Sequence, residues 1–358
     1  MQNSNVNRKK IEQERREKLR IEKPLVYEKV LKINDKYLNG ESVAMLDISY
    51  DYICNFKCEH CCNNSFQVKD RSLTIDDLRN ISEQADQLGL FQFTLTGGEP
   101  LLFKDLDNII QALNPEKFHI SVNTNGYLLT YNMAKHLKEI GVDKVKISID
   151  SFRKDKHNQI RHNSQAYTHA FEALFNAQKA GLHVVAQHVA TRQNTQTQDT
   201  VELAKFAQKN DFALDVLIAK ALGQWEGNHD VLINEEDAAF LRELHKEYPV
   251  VWRDVFPAYG LEKGCISVNS ILGITKYGDV LPCPFIHIGI GNIFEESLKD
   301  IIDRGLRIKH FKEFRTKCLS GEDRCFIDTY MTKFYGKPLP IHWSEAFSDE
   351  DFIDGIAK

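Results

Sequence analysis

The chain has 358 residues, 42% hydrophobic and 27% charged, with 46 Lys plus Arg against 51 Asp plus Glu and a formal net charge of −5. At roughly 100–200 residues per domain this allows two or three domains with a full core and no disulfide staples, and it excludes disorder, collagen or coiled coil as the global answer. The near balance of charge leaves no overall positive field to hold nucleic acid or an anionic membrane.

Residues 1–23 interleave Arg and Lys with Glu at helical spacings and read as a solvated charged helix or frayed arm, the start of an amino-terminal segment 1–42. No apolar h-region is present and no run approaches the roughly 18 apolar residues of a membrane span, so a cytoplasmic protein without a membrane partner is expected. From residue 43 a regular alternation sets in. Short runs rich in β-branched and apolar residues (43–50, 91–96, 118–124, 142–150, 182–191 and 212–219) are separated by amphipathic stretches of helical period (73–89, 105–113, 131–141, 166–181 and 197–210). Several of these stretches end at a glycine: Gly89, Gly141 and Gly181. Strand then helix, repeated six times, predicts an α/β domain over 43–225 with right-handed βα units and a parallel sheet. Pattern alone leaves open whether six units close partway into a barrel or stay open. After about residue 225 the rhythm changes. A helix at 234–247 lies in a linker region 226–260, residues 270–283 read as a β-hairpin turning at Tyr277-Gly278-Asp279, and 295–314 read as helix. Residues 261–358 are expected to form a smaller second domain with the carboxyl-terminal tail.

Eight cysteines fall in two groups: Cys54, Cys58, Cys61 and Cys62 near the amino end, and Cys265, Cys283, Cys318 and Cys325 in the last hundred residues, with none between. A secreted disulfide scaffold would not leave its core empty of cysteine, and in a reducing compartment cysteines are more often metal ligands or catalysts. Cys54, Cys58 and Cys61 read C-x3-C-x2-C directly after the first predicted strand, where α/β sheets place their active sites. Three thiolates can hold three irons of a four-iron cluster and leave one iron open for reaction. The alternative is a structural zinc with His60 as fourth ligand, which the adjacency of His60 to Cys61 makes awkward.

CNFKCEHC (54–61) resembles the signature of radical S-adenosylmethionine (radical SAM) enzymes, with His60 at the position usually aromatic. LTGGEP (95–100), SVNTNG (121–126), KISIDS (146–151) and a stretch bearing Arg161 follow in the family's order. The resemblance implies a partial (β/α)6 TIM-like barrel and a metal-binding site holding a 4Fe–4S cluster, whose open iron chelates S-adenosyl-L-methionine. It implies one-electron cleavage of the sulfonium to a 5′-deoxyadenosyl radical. On this reading Gly97 and Gly98 let the backbone approach the ligand, Glu99 offers a carboxylate to the methionine ammonium, and Pro100 stiffens the turn. Asn123, Ser148 and Asp150 suit ribose hydroxyls and the methionine carboxylate, Arg161 a paired contact with that carboxylate, and His60 the adenine edge. Each has a bland counterpart, since Gly-Gly after a strand is common turn chemistry and a lone strand-end Ser or Asp is a common cap. Cys62 is left over, either a hydrogen-atom donor or acid, or a small packed residue.

Cys265, Gly278 and Cys283 read C-x12-G-x4-C, similar to the opening of the SPASM or twitch auxiliary iron–sulfur domains of many radical SAM enzymes. Too few cysteines remain for more than one auxiliary 4Fe–4S cluster. Cys318 and Cys325 would complete its ligands, Cys325 being the least secure, and zinc is again the alternative. A second cluster can accept the electron of a substrate radical, which points to an oxidoreductase or maturase-type reaction: oxidation, bond formation or epimerisation. The resemblance leaves a peptide and a small-molecule substrate both open. The short segment before the first strand weakens a leader-peptide substrate, and a reductant such as flavodoxin or ferredoxin is implied. A non-catalytic iron–sulfur or zinc protein competes with this reading, as does a nucleic-acid modifying enzyme, for which the basic arm at 8–23 is the only support.

Overall fold

The structure is a computed structural model that describes residues 13–14, 16–63, 66–253, 255–256, 264–313 and 315–355. The first half of the charged arm and the aromatic stretch 257–263 lie outside the described residues. Six strands, β1 (Met45–Asp51), β2 (Gln92–Gly97), β3 (His119–Thr124), β4 (Lys144–Ser148), β5 (His183–Ala190) and β6 (Ala213–Ile218), run parallel in sequence order. They alternate with helices at Ile75–Gln87, Leu106–Ala112, Tyr131–Glu139, Ala166–Lys179 and Gln198–Lys209, each within a stretch the periodicity marks. A further helix, Lys154–Arg161, lies between β4 and the helix at 166–179, in a stretch too polar to show an apolar stripe.

Alternation within each strand sorts the two faces of the sheet. Leu46, Ile48, Phe93, Leu95, Ile120, Val122, Val145, Ile147, Leu214 and Val216 are fully buried under the helices, each contributing roughly 1.5–3 kcal/mol of burial. The other face is polar. Register places Asp47 beside Thr94, Thr94 beside Ser121, Ser121 beside Lys144 and Lys144 beside His183, with Asn123 beside Lys146 one step further along. The inner side of the partial barrel is therefore lined with hydrogen-bonding groups where a closed TIM barrel would carry packed aliphatic layers. Local signals fix the helix ends: Thr74 and Asp77 form a capping box, Thr130 and Ser297 cap from their side chains, and Gly89, Gly141 and Gly181 take the left-handed conformation after their helices.

Two helices, Pro24–Leu31 and Ile33–Leu38, pack Val26, Val30 and Ile33 on Val43 and Phe91 at the amino-terminal ends of the strands. Lys23 donates to the Phe118 carbonyl at 3.0 Å and to Asp143 at 2.5 Å, just before β3 and β4. Residues 24–38, which follow the stretch read as a solvated arm, thus cap the base of the barrel through Val26, Val30 and Ile33, while Leu25, Leu31 and Leu38 stay exposed.

The carboxyl-terminal region shares the sheet. A short strand, β7 (Val251–Trp252), extends it beyond β6. The hairpin of β8 (Ile271–Ile274) and β9 (Asp279–Leu281) turns at Gly278, whose φ is +78°. β8 runs parallel to β1, pairing Met45 with Ile271 and Ile48 with Ile274. Strand β10 (Gly291–Asn292) pairs antiparallel with β9, so among the described residues the sheet has free edges at β7 and β10 and stays open. Helix Leu298–Arg307, which the sequence places at 295–314, stops at Ile308, and a second short helix, Lys309–Lys312, follows.

Candidate active site

β1 ends at Asp51, and the next eleven residues carry all four early cysteines. Five neighbouring segments hold this loop. Gly98 N–H donates to Asp51 O and Glu99 N–H to Ile53 O, both at 2.8 Å. A Cβ on Gly98 would stand 2.0 Å from Ile53 O. The close approach that the Gly-Gly pair permits is thus to the cysteine loop itself, where the sequence suggests an approach to a ligand. Asn125 Nδ2 donates to Asn55 Oδ1 at 2.8 Å, Glu59 N–H to Ile160 O at 3.1 Å, and Gln224 N–H to Cys61 O at 3.1 Å. From the hairpin, Lys276 pairs with Asp51 at 3.1 Å.

The Glu99 carboxylate is 1% exposed and accepts from Thr124 Oγ1 at 2.7 Å, Asn125 N–H at 2.7 Å and Leu101 N–H at 3.1 Å. Burial raises its pKa, and these bonds pull against that rise. With about four acceptor sites on a carboxylate, one remains for a cation. Asp150 and Arg161, read from the sequence as separate ligand contacts, are brought together: Arg161 Nε lies 2.5 Å and Nη2 3.1 Å from the Asp150 oxygens. Arg161 Nη1 is also 3.6 Å from Cys58 Sγ. Burial would push the Asp150 carboxyl up, but the guanidinium and then the imidazoles of His60 and His157 outweigh it and hold it well below the usual carboxylate range. His60 Nε2 is 3.9 Å from Asp150 Oδ1, and its ring is 5.6 Å from that of Trp225. Burial lowers the His60 pKa to about 4, so the ring is neutral near pH 7. Asn123 Nδ2 reaches Thr96 Oγ1 at 3.4 Å while its buried Oδ1 has no partner among the described residues, and Ser148 ends β4 half-buried.

Sequence reasoning passed over Asn125, which ties Glu99 to the cysteine loop, and Trp225, which faces His60. Asn125 lies in the SVNTNG segment, but nothing local separates it from Asn123. Trp225 sits outside every motif.

Cys54, Cys58 and Cys61 are unpaired thiols; burial raises the pKa of Cys54 and Cys58, and neighbouring thiols add to it, Cys58 and Cys61 for Cys54 and Cys61 for Cys58. Phe56 N–H at 3.4 Å faces Cys54 Sγ and the Arg161 guanidinium faces Cys58 Sγ, so two of the three sulfurs already have donors suited to a thiolate. Among the described residues no three His, Cys, Asp or Glu side chains converge on a point for a single metal ion. A polynuclear cluster takes its thiolates at separate corners, further apart than the ligands of one ion, and the three free cysteines of this loop are the donor type it needs. Cys62 is half-buried, its thiol pushed up to about 12 by desolvation and by Cys61.

In the second group burial and the neighbouring thiols act together on Cys265 and Cys283, raising both, with Cys265 pushed up to about 11. Cys318 N–H donates at 2.9 Å to Glu322, which Arg253 clamps at 2.6 Å. Cys325 is exposed on the helix Arg324–Tyr330, where its thiol acts on Tyr330.

A parallel sheet with free thiols gathered at its carboxyl-end loops and a second thiol group beside an appended hairpin defines an α/β protein built for iron–sulfur chemistry. The sequence profile of the radical SAM superfamily matches residues 48–207 and that of the SPASM iron–sulfur cluster-binding domain matches residues 265–326, and the chain belongs to the radical SAM superfamily, with a SPASM-type domain. Its cofactors are therefore a 4Fe–4S cluster with S-adenosylmethionine and an auxiliary iron–sulfur cluster. The chain is 28% identical over 265 residues to a GTP 3′,8-cyclase of Aliarcobacter butzleri, covering 68% of this chain and 81% of that one. The fold is similar to Streptococcus suis SuiB bound to its precursor peptide SuiA (TM-score 0.58, 17% identity, 76% of this chain and 67% of that one). It is also similar to anSMEcpe with bound AdoMet (TM-score 0.57, 20% identity, 77% and 83%). The partial barrel is thus the fold shared with radical SAM enzymes. Among the described residues no helix is long and apolar enough to cross a membrane.

Proposed function

We propose that Cys54, Cys58 and Cys61 hold the cluster that binds S-adenosylmethionine, and that the enzyme abstracts hydrogen from a small polar substrate on the inner face of the sheet. Bound there, cluster and cofactor would supply one-electron cleavage of the sulfonium to methionine and a 5′-deoxyadenosyl radical able to take a hydrogen atom from the substrate. The observation that carries this reading is the cysteine loop itself, tied by backbone bonds to the Gly98–Glu99 turn and by side chains to Asn125 and Arg161.

Glu99 has one acceptor site left for the methionine ammonium, and the unpartnered Asn123 Oδ1 and the strand-end Ser148 suit ribose hydroxyls. The neutral His60 and the Trp225 ring, tilted 52° to one another, offer ring faces for adenine to pack on. Arg161 is engaged by Asp150, so its role is to hold Cys58 and set the charge beside it; any contact with a carboxylate must come from Nη1. Cys265, Cys283 and Cys318 hold the auxiliary cluster, with Cys325 as the remaining candidate. A small substrate is favoured over a peptide by the inner face, where Lys146 and Gln187 each contact Asp215 at 3.3 Å, and by the sequence likeness to GTP 3′,8-cyclases. A flavodoxin or ferredoxin in a reducing cytoplasm would supply the electron.

Anaerobic reconstitution with iron and sulfide, followed by dithionite and S-adenosylmethionine, should release 5′-deoxyadenosine and methionine in equal amounts. Protein that binds zinc instead and releases neither would overturn the reading.

A further inference from the structure

Lys220 lies two residues beyond β6, on the rim that carries the cysteine loop. It is 8% exposed. The backbone around it is pinned: a Cβ on Gly223 would meet Cys61 O at 2.1 Å, and one on Gly321 would meet the Ile218 side chain at 2.7 Å and Ala219 O at 3.0 Å. Its Nζ donates to Ile218 O at 2.6 Å and stands 4.3 Å from the centre of the Phe285 ring. Gly223, three residues on, packs against Cys61, and Phe285 is two residues from Cys283, which places Lys220 between the two cysteine groups; its charge acts on the thiols of Cys62 and Cys283.

Three other shielded lysines of this fold have a carboxylate: Lys23 has Asp143, Lys29 has Asp86 and Lys146 has Asp215. Among the described residues no carboxylate pairs with Lys220. A buried charge is costly unless it is paired, and one carbonyl with one ring face answers only part of an ammonium that has three donors. The missing partner is an anion arriving from the space between the two cysteine groups.

We propose that Lys220 binds an anionic oxygen group of the substrate, a carboxylate or a phosphate, between the two cysteine groups. This deepens the radical reading above and rests on it for the word substrate. Lys220 is then a specificity residue: it selects molecules that carry an anion at a fixed reach from the reacting carbon.

Two probes test it on the reconstituted protein at low salt, inorganic pyrophosphate for the phosphate source and malonate for the carboxylate source, each titrated by calorimetry. One of them should saturate at one site per chain, and that arm names the source. Lys220→Met should weaken this binding by at least ~10-fold, the scale of a charge-assisted hydrogen bond, and Lys220→Arg should keep it within about 3-fold because the charge is retained. Saturation by neither probe in the wild-type protein overturns the proposal, and that result needs no variant to fold. Unchanged binding in Lys220→Met also overturns it, and if the same variant shifts the midpoint potential of a cluster, Lys220 is a counter-ion to thiolates only. Release of 5′-deoxyadenosine by the wild-type protein is scored separately. Its failure beside Lys220-dependent anion binding removes the radical reading and leaves an anion site.

Discussion

Asp150 and Arg161 show how far a residue's role depends on its partner. Each is a plausible ligand contact in isolation, yet the fold spends the guanidinium fork on the carboxylate and leaves one nitrogen for Cys58. Asp150→Asn leaves a buried guanidinium without its counter-charge and should lower stability by roughly 3–5 kcal/mol, whereas the double variant Asp150→Asn, Arg161→Met should recover part of that loss. Because the folded carboxyl sits below its unfolded range, the contribution is complete above the unfolded pKa and declines only as pH falls below about 4. Urea titrations of wild type and Asp150→Asn should therefore differ by a constant amount between pH 5 and 8 and converge in acid. A gap that instead closes near neutral pH would mean the pair is not held as described. Sequence order could not reveal this pair, since eleven positions and a helix turn separate its members and neither lies at a capping spacing.

At the scale of elements, what matters is how loops are pressed together at one end of the sheet. The cysteine spacing and the strand that precedes it were legible because both are local, and the helix ends were legible because caps and glycines are local too. The reason for Gly98 was not, because the oxygen it must clear belongs to Ile53, on another loop. Gly98→Ala should therefore push the two loops apart, cost roughly 1–3 kcal/mol or more, and sharply reduce the iron bound per chain after reconstitution. Gly181→Ala is the control. It meets no atom within 4 Å but has a φ of +80°, so a cost of about 1–2 kcal/mol from left-handed strain should come with normal iron content. Equal iron in both variants would show that the Gly-Gly turn does not shape the cysteine loop. The partnership of Asn55 with Asn125 went unread for the same reason as that of Gly98 with Ile53: hydrogen bonds between loops leave no periodicity.

For the whole molecule, the apolar period of the strands revealed the outer face and its helices, while the polar inner face could be seen only once the register was known. Lys144 is the clearest product of that face. Desolvation inside the barrel, helped by the like charge of Lys146, brings its pKa down to about 7 against the opposing pull of Asp215, Asp47 and Asp143, and its Nζ donates to Gln92 at 3.3 Å. Between pH 7 and about 10 the unfolded chain binds a proton there that the folded chain does not, so stability must rise with pH across this window. Lys144→Met should remove that slope and gain roughly 1–3 kcal/mol at pH 7, the scale of relieving a poorly compensated polar burial. Thermal melts of the two proteins at pH 7 and pH 9.5 check it, and parallel behaviour at both would refute the assignment. The pairing of β8 with β1 was equally hidden, since more than 200 residues separate them and both read simply as apolar strands. With Met45–Ile48 laddered to Ile271–Ile274, the two cysteine groups ride on one rigid body. Electron tunnelling falls off exponentially with the width of the gap, so the rate of any electron passing between the groups is set once, when the chain folds. Solvent viscosity, which would slow a swinging domain, should leave that rate untouched.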